Sequence, residues 1–249
     1  MTLVVIETGD GSTTFFDTAK NIHYRSLQGA RGEADYVFVT ASKIASRSAP
    51  WRVLELGLGT GMNFLATAEA LLEKSASMPA EISPRLEYTA VERAPLRPDL
   101  YRQLGHAQRL KAPWLAELLE SALEQLQHQS MTQLNVGPVS LTVYASDWQR
   151  LSLPEHLQVD AIYHDPFGPK QNPEAWTAEC FGWSSRHLSE AGRLVTYAAA
   201  TGVRRAMVAA GLSIASLPGT GSKREMTVAA KSAAVLSDAT LLTAARFRP

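Results

Sequence analysis

The stretch WRVLELGLGTGMNFLATAEALLEK, residues 51–74, narrows the choice of fold more than any other part of the chain. WRVLEL is a short apolar run fit for a buried strand, and from Met62 onward apolar residues recur at helical spacing. Between them lie Gly57, Gly59 and Gly61. A strand passing through a glycine turn into a helix is the opening unit of a parallel sheet covered by helices.

The rest of the chain repeats that alternation. LEYTAVE (86–92), VSLTVYASD (139–147), VDAIYHD (159–165) and GRLVTYAA (192–199) read as strands. Residues 95–128, a segment from about Pro173 to Leu188, and GVRRAMVAAG read as helices. LSIASLPG and EMTVAAK close the pattern. Only TGSKR separates them, too short for a crossover helix, so the last strand is expected to run antiparallel to its neighbour. The expected fold is α/β and Rossmann-like, a seven-stranded mostly parallel sheet with its last strand antiparallel. That is the architecture of class I methyltransferases that use S-adenosylmethionine; a plain dinucleotide-binding fold would continue with another helix. Ahead of it, LVVIE, TTFFD and NIHYRS read as short strands and residues from about Gly32 to Ser42 as a helix. One domain is therefore expected, with a β-rich extension at 1–48, a core at 49–232 and a tail at 233–249.

Composition sets the compartment. At 249 residues, 45% hydrophobic and 19% charged, the chain can bury a full core. Its lone cysteine, Cys180, excludes an intrachain disulfide and a cysteine-based zinc site. No signal peptide or membrane span is evident, so cytoplasm is the expected location, with neither membrane nor metal involved. Net charge is zero, yet residues 201–249 carry seven Lys/Arg against Glu225 and Asp238, a balance of +5, while residues 151–200 balance at −3. A basic C-terminal quarter beside an acidic loop offers a phosphate-binding face, although a merely solvated basic surface fits the same count.

The glycine turn reads E-x-G-x-G-x-G from Glu55 to Gly61. A dinucleotide fingerprint counted from Gly57 would place Met62 where a third glycine or alanine belongs. The pattern instead suits S-adenosylmethionine, which has no pyrophosphate to cradle; a nicotinamide-dependent oxidoreductase is the competing reading. Glu55, Gly57, Gly59, Gly61 and Asn63 are assigned to the cofactor. Glu92, ending the second strand, can accept from both ribose hydroxyls. Asp147, ending the third, can accept from the adenine amino group with Trp148 flanking the ring. All face one crevice by the switch-point rule.

At the end of the fourth strand stands YHDPFGPKQNPEAW, residues 163–176. Methyl transfer to an amine nitrogen needs a lone pair, which an ammonium titrating near about pH 10 lacks at neutrality. Asp165 can hold such an amine and accept its proton, with the backbone carbonyl before Pro166 as a second acceptor. Phe167 offers a face for a nucleobase, and Lys170 a phosphate or pocket contact. Asn172 and Pro173 read as an N-cap and first helical residue. His164 should point to the face opposite Asp165 and so be structural.

With those residues in view, the chain resembles the methyltransferase half of the bifunctional bacterial enzymes that make 5-methylaminomethyl-2-thiouridine in tRNA, and the stand-alone forms of that domain. The resemblance runs from about Tyr24 to Lys231 through YRSLQGARGEADYVF, ELGLGTGMNFL, HDPFGPKQNPEAW, GRLVTYAAATGVRRAMVAAG and PGTGSKREM, in that order. It implies methylation of the primary amine of 5-aminomethyl-2-thiouridine at the wobble position, with Asp165 beside that amine. It also implies a place near the site for Tyr24, Ser26 and Glu33. Lys223 and Arg224, with Arg204 and Arg205, are the candidates for tRNA phosphates near the anticodon. Pro166 and Ala175 depart from the family's usual pattern; the first stiffens the acid and the second widens the pocket. The length leaves no room for a flavin-dependent oxidase half, so a separate enzyme is expected to supply the aminomethyl intermediate. A methyltransferase acting on another amine stays open as an alternative.

Overall fold

A computed structural model describes residues 3–47, 50–79, 83–221 and 223–247. Three short strands, β1 (Leu3–Glu7), β2 (Thr13–Asp17) and β3 (Ile22–His23), form an antiparallel sheet of their own at the N-terminus. A helical segment follows, α1 (Ala30–Glu33), continuing as a π-helix over Ala34–Thr40. It begins slightly before the expected Gly32, and its widened turns bring Thr40 Oγ1 2.8 Å from the carbonyl of Asp35.

The core starts at β4 (Trp51–Leu56) and α2 (Met62–Ala76), then β5 (Leu86–Glu92), α3 (Pro98–Gln103), α4 (Trp114–Gln125), β6 (Met131–Val136) and β7 (Val139–Ala145). It continues through β8 (Val159–His164), α5 (Ala178–Ser185), β9 (Leu188–Thr196), α6 (Thr201–Ala209), β10 (Ser213–Pro218), β11 (Glu225–Ala230) and β12 (Thr240–Leu242). Among the described residues these strands make one nine-stranded sheet, ordered β12-β10-β11-β9-β8-β4-β5-β7-β6. The five from β9 to β7 are mutually parallel. β11 is antiparallel to both β9 and β10, so it alone is reversed among the seven expected strands.

β6 and β12 are additions at the two edges. β6 is mostly exposed, so no apolar alternation announces it; it forms by hairpin pairing with β7 across Gly137, whose φ is +54. Because β12 pairs with β10, the sheet extends past residue 232, into what the sequence suggested was a tail. The expected helix over 95–128 is also divided. Gly105 at φ +61 ends the α3 turn, and α4 restarts after Pro113.

Strand alternation sorts the core into two layers. Val53 of β4 and Ala161 and Tyr163 of β8 pack with Phe64 of α2 and Leu119 of α4. Leu54, Leu56 and Ile162 pack on the other face, with Phe181 of α5 and Met207 of α6. Glu55 and Asp165 therefore belong to the face under α2, and His164 to the opposite one. His164 is fully buried there against Trp176 and Phe181, with ring centroids 4.7 and 4.6 Å away, and burial lowers it to about 3.

Candidate active site

The carboxyl ends of β4, β5, β7 and β8 open into a crevice of about 900 Å³. The N-terminal extension supplies its opposite wall through Tyr24, Arg25, Ser26 and Glu33.

Each glycine of the turn has a different local reason. Gly57, at φ +90, donates its N–H to Val91 O, and a Cβ there would lie 2.7 Å from the carbonyl oxygen of Asp165. Its bareness lets the β4 and β8 strand ends touch. Gly59, at φ +53, lines the crevice and donates to Glu92 Oε2 at 3.1 Å. Gly61 lies outside the lining; a Cβ there would stand 2.1 Å from Leu119 Cδ2, so it serves the packing of α2 on α4. Its φ of +76 and this close helix contact both favour glycine here.

Glu55 and Asn63, also expected at the cofactor, make a contact of another kind. Both are fully buried and outside the crevice lining. Asn63 Nδ2 donates to Glu55 Oε1 at 2.7 Å and to Asp165 Oδ2 at 2.8 Å, while Tyr88 donates to Glu55 Oε2 at 2.8 Å. Glu55 thus anchors the amide that orients Asp165. Burial pushes Glu55 up to about 8, so it is largely protonated at neutral pH.

Asp165 stands at the centre. Its N–H bonds to Leu56 O, and its carboxylate meets Arg25 Nη1 at 2.5 Å, in a pair whose side chains are 3% and 8% exposed. Burial pushes the carboxyl up to about 6 against the pull of Arg25, with Glu33 adding to the rise and Asn63 and Lys223 opposing it. Arg25 is the residue the sequence reading missed. Its signal is indirect: a buried carboxylate needs a buried cation, and Arg25 lies inside the YRS motif.

Around this centre, Phe167 sits edge-on to Tyr24 at 4.9 Å, and its carbonyl accepts from Trp176 Nε1 at 2.8 Å. Tyr197, also missed, donates from its hydroxyl to Pro166 O at 2.9 Å. Lys223 bonds to Glu33 Oε1 at 3.0 Å and stands 4.1 Å from the Tyr197 ring centroid. Lys223 is therefore a crevice residue. Farther along, Glu92 uses its other oxygen on the N–H of Ala94 at 2.9 Å. Asp147 caps the turn 148–150 through Gln149 N–H, and Trp148 is buried beside it. Ala175 is buried and lines the crevice wall.

Two further expectations, for Arg204 and Asn172, are corrected. Arg204 is buried, its guanidinium bonded to Thr227 Oγ1 at 3.1 Å, Glu225 at 2.9 Å and Ser216 at 3.3 Å. It clamps α6 onto β10 and β11 and is closed to phosphate. Arg205 is exposed but lines a second cavity between α6, β10 and β12. Asn172 precedes only a 3-10 turn and makes no side-chain cap; Thr177 caps α5 by accepting from Cys180 N–H at 3.2 Å. Lys170 and Arg224 are exposed and outside the crevice lining.

Comparison with known proteins places this geometry in context. Residues 110–232 match the sequence model of a family described as S-adenosyl-L-methionine-dependent methyltransferase. The tRNA 5-methylaminomethyl-2-thiouridine biosynthesis bifunctional protein MnmC of Idiomarina loihiensis is 33% identical over 233 residues, covering 86% of this chain and 36% of the relative. The protein of the same name from Pseudomonas fluorescens is 36% identical over 211 residues, covering 82% and 31%. The chain thus spans about a third of the length of the curated relatives it matches. The crystal structure of MnmC2 from Aquifex aeolicus superposes with a TM-score of 0.73 at 27% identity, covering 93% of this chain and 71% of that one.

Proposed function

From the match of residues 110–232 to the S-adenosyl-L-methionine-dependent methyltransferase model, we propose that the chain is such a methyltransferase and that it methylates the primary amine of 5-aminomethyl-2-thiouridine at the tRNA wobble position, giving 5-methylaminomethyl-2-thiouridine. The observation that carries the reading is the buried Asp165 carboxylate, fixed by Arg25 and Asn63 where the fourth parallel strand of the expected order enters the crevice. The names of the relatives point to the same product.

The donor set fits the cofactor. Gly59 has only Tyr24 Cδ1 within 4 Å of where a Cβ would be, at 3.8 Å, so that backbone is free for close approach by a ligand. Glu92 and Asp147 present carboxylates at neighbouring strand ends, with Trp148 beside them. Gly57, Gly59, Glu92, Asp147 and Trp148 would hold S-adenosyl-L-methionine, which supplies an electrophilic methyl on a sulfonium.

Asp165 would take the proton that the substrate ammonium must lose. An ordinary carboxyl near 3.8 lies roughly 6 below an alkylammonium, and each step costs about 1.4 kcal/mol. With burial raising Asp165 to about 6, the gap narrows by about 2, easing proton transfer by about 3 kcal/mol. Arg25 and Asn63 hold the carboxylate in one orientation, and positioning supplies much of the remaining rate. Phe167 would support the wobble base, and exposed Arg224 the phosphates. Because the acceptor is already a primary amine, a separate reaction must first produce it.

The test is uptake of labelled methyl by tRNA carrying 5-aminomethyl-2-thiouridine. The expected result is one methyl per wobble amine and none on tRNA lacking it. Uptake only by small amines would refute the RNA assignment and leave the chemistry.

A further inference from the structure

Lys223 reaches into the crevice from the surface turn between β10 and β11, where its own N–H bonds to Thr220 O. Its ammonium lies 3.0 Å from Glu33 Oε1 and 4.1 Å from the centre of the Tyr197 ring. An acid beside an aromatic face is a matched site for a cation. The walls are more deeply buried than the occupant. The Glu33 side chain is 6% exposed, whereas that of Lys223 is 40% exposed. The Tyr197 ring is held by its hydroxyl bond to Pro166 O and by edge contact with Trp176 at 5.8 Å.

We propose that Glu33 and Tyr197 form the receiving seat for the substrate's primary ammonium, and that Lys223 keeps its own ammonium there until the substrate displaces it. The proposal rests on the amine-methylation reading above and names the charge state in which that amine enters. Two ammonium groups cannot share one carboxylate and one ring face. Lys223 can leave because its stem already reaches solvent. Glu33 cannot be left alone, since an unpaired carboxylate so deeply buried is costly. The seat therefore admits a cationic acceptor in exchange for Lys223 and discriminates against hydroxyl or neutral ring-nitrogen acceptors. Asp165 lies in the same crevice, so the seated ammonium has its proton acceptor close by.

The seat can be probed with ethylammonium and no RNA or methyl transfer. Lys223→Met keeps the stem, removes the charge and leaves Glu33 unpaired. In this variant about 100 mM ethylammonium should raise the melting temperature by about 2–4 °C over the same concentration of sodium, by binding to the folded state alone. The wild type, with its seat filled, should not respond, and adding Glu33→Gln to the variant should abolish the rise. An equal rise in wild type, or one that survives Glu33→Gln, overturns the proposal. Should Lys223→Met fail to fold, Lys223→Gln carries the same test. Since the readout is binding of a simple cation, its failure is separate from any failure of tRNA to be methylated.

Discussion

Arg25→Met isolates the part that the buried ion pair plays in the proposed chemistry. Methionine keeps the length of the stem and deletes the charge that meets Asp165 at 2.5 Å. With its carboxyl at about 6, Asp165 is roughly nine-tenths ionised at pH 7. Losing an opposite charge at this range raises a carboxylate by roughly 1–3, which leaves about 1–50% ionised at pH 7. If the ionised form receives the proton, kcat/KM at pH 7 falls roughly 2- to 90-fold. The deficit should shrink as the pH rises, because the acidic limb of the profile moves upward. Stability follows the same sign: the variant's carboxyl titrates higher, so the destabilisation is small at pH 5, where the group is protonated in both proteins, and grows toward pH 8. The assay is a pH profile of labelled-methyl transfer alongside thermal unfolding at both pH values. An acidic limb that stays near pH 6 while the rate drops uniformly would refute the reasoning and give Arg25 some other task.

Glu55→Gln should become progressively more stable relative to wild type as the pH rises from 4.5 to 8, by up to about 5 kcal/mol, since a carboxyl raised from 4.5 to about 8 by burial loses stability through that window; denaturant unfolding at several pH values checks it, and parallel curves would contradict it. Arg204→Met should cost about 1–3 kcal/mol by stripping a buried set of hydrogen bonds while leaving the salt dependence of tRNA binding unchanged. Arg224→Ala should do the reverse, with normal stability and a shallower salt slope in a binding titration. Gly57→Ala should lower kcat by about 100-fold while the protein stays folded, because the added carbon meets the Asp165 carbonyl at 2.7 Å; near-normal turnover would show that the contact yields freely.

The parts of this protein legible in its sequence are those where one residue type answers to one local demand. Apolar strands interleaved with helical spacing marked seven of the nine strands of the main sheet and the single reversed one among them, though not their order in the sheet. Gly57 and Gly59 stand out because their backbone angles suit glycine. What escaped depends on partners distant along the chain. Arg25 is an ordinary basic residue until Asp165 is folded against it, and Arg204 looks like a surface charge until β11 places Thr227 and Glu225 beside it. Gly61 and Glu55 carry the expected letters at the expected spacing, but their contacts with Leu119 and Asn63 become visible only in the fold. β6 and β12 escaped for another reason: edge strands bury little, so they leave little pattern.

Gly57 ties two tasks into one mechanical unit. Its bare α-carbon lets the glycine turn rest directly on the peptide that carries Asp165. A change in the turn's path is thereby passed to the acid through backbone contact, with no side chain between them to absorb it. Efforts to refit this crevice to a bulkier methyl donor would then have to move the acid with the turn, whereas the wall supplied by the N-terminal extension could be varied separately to change the acceptor.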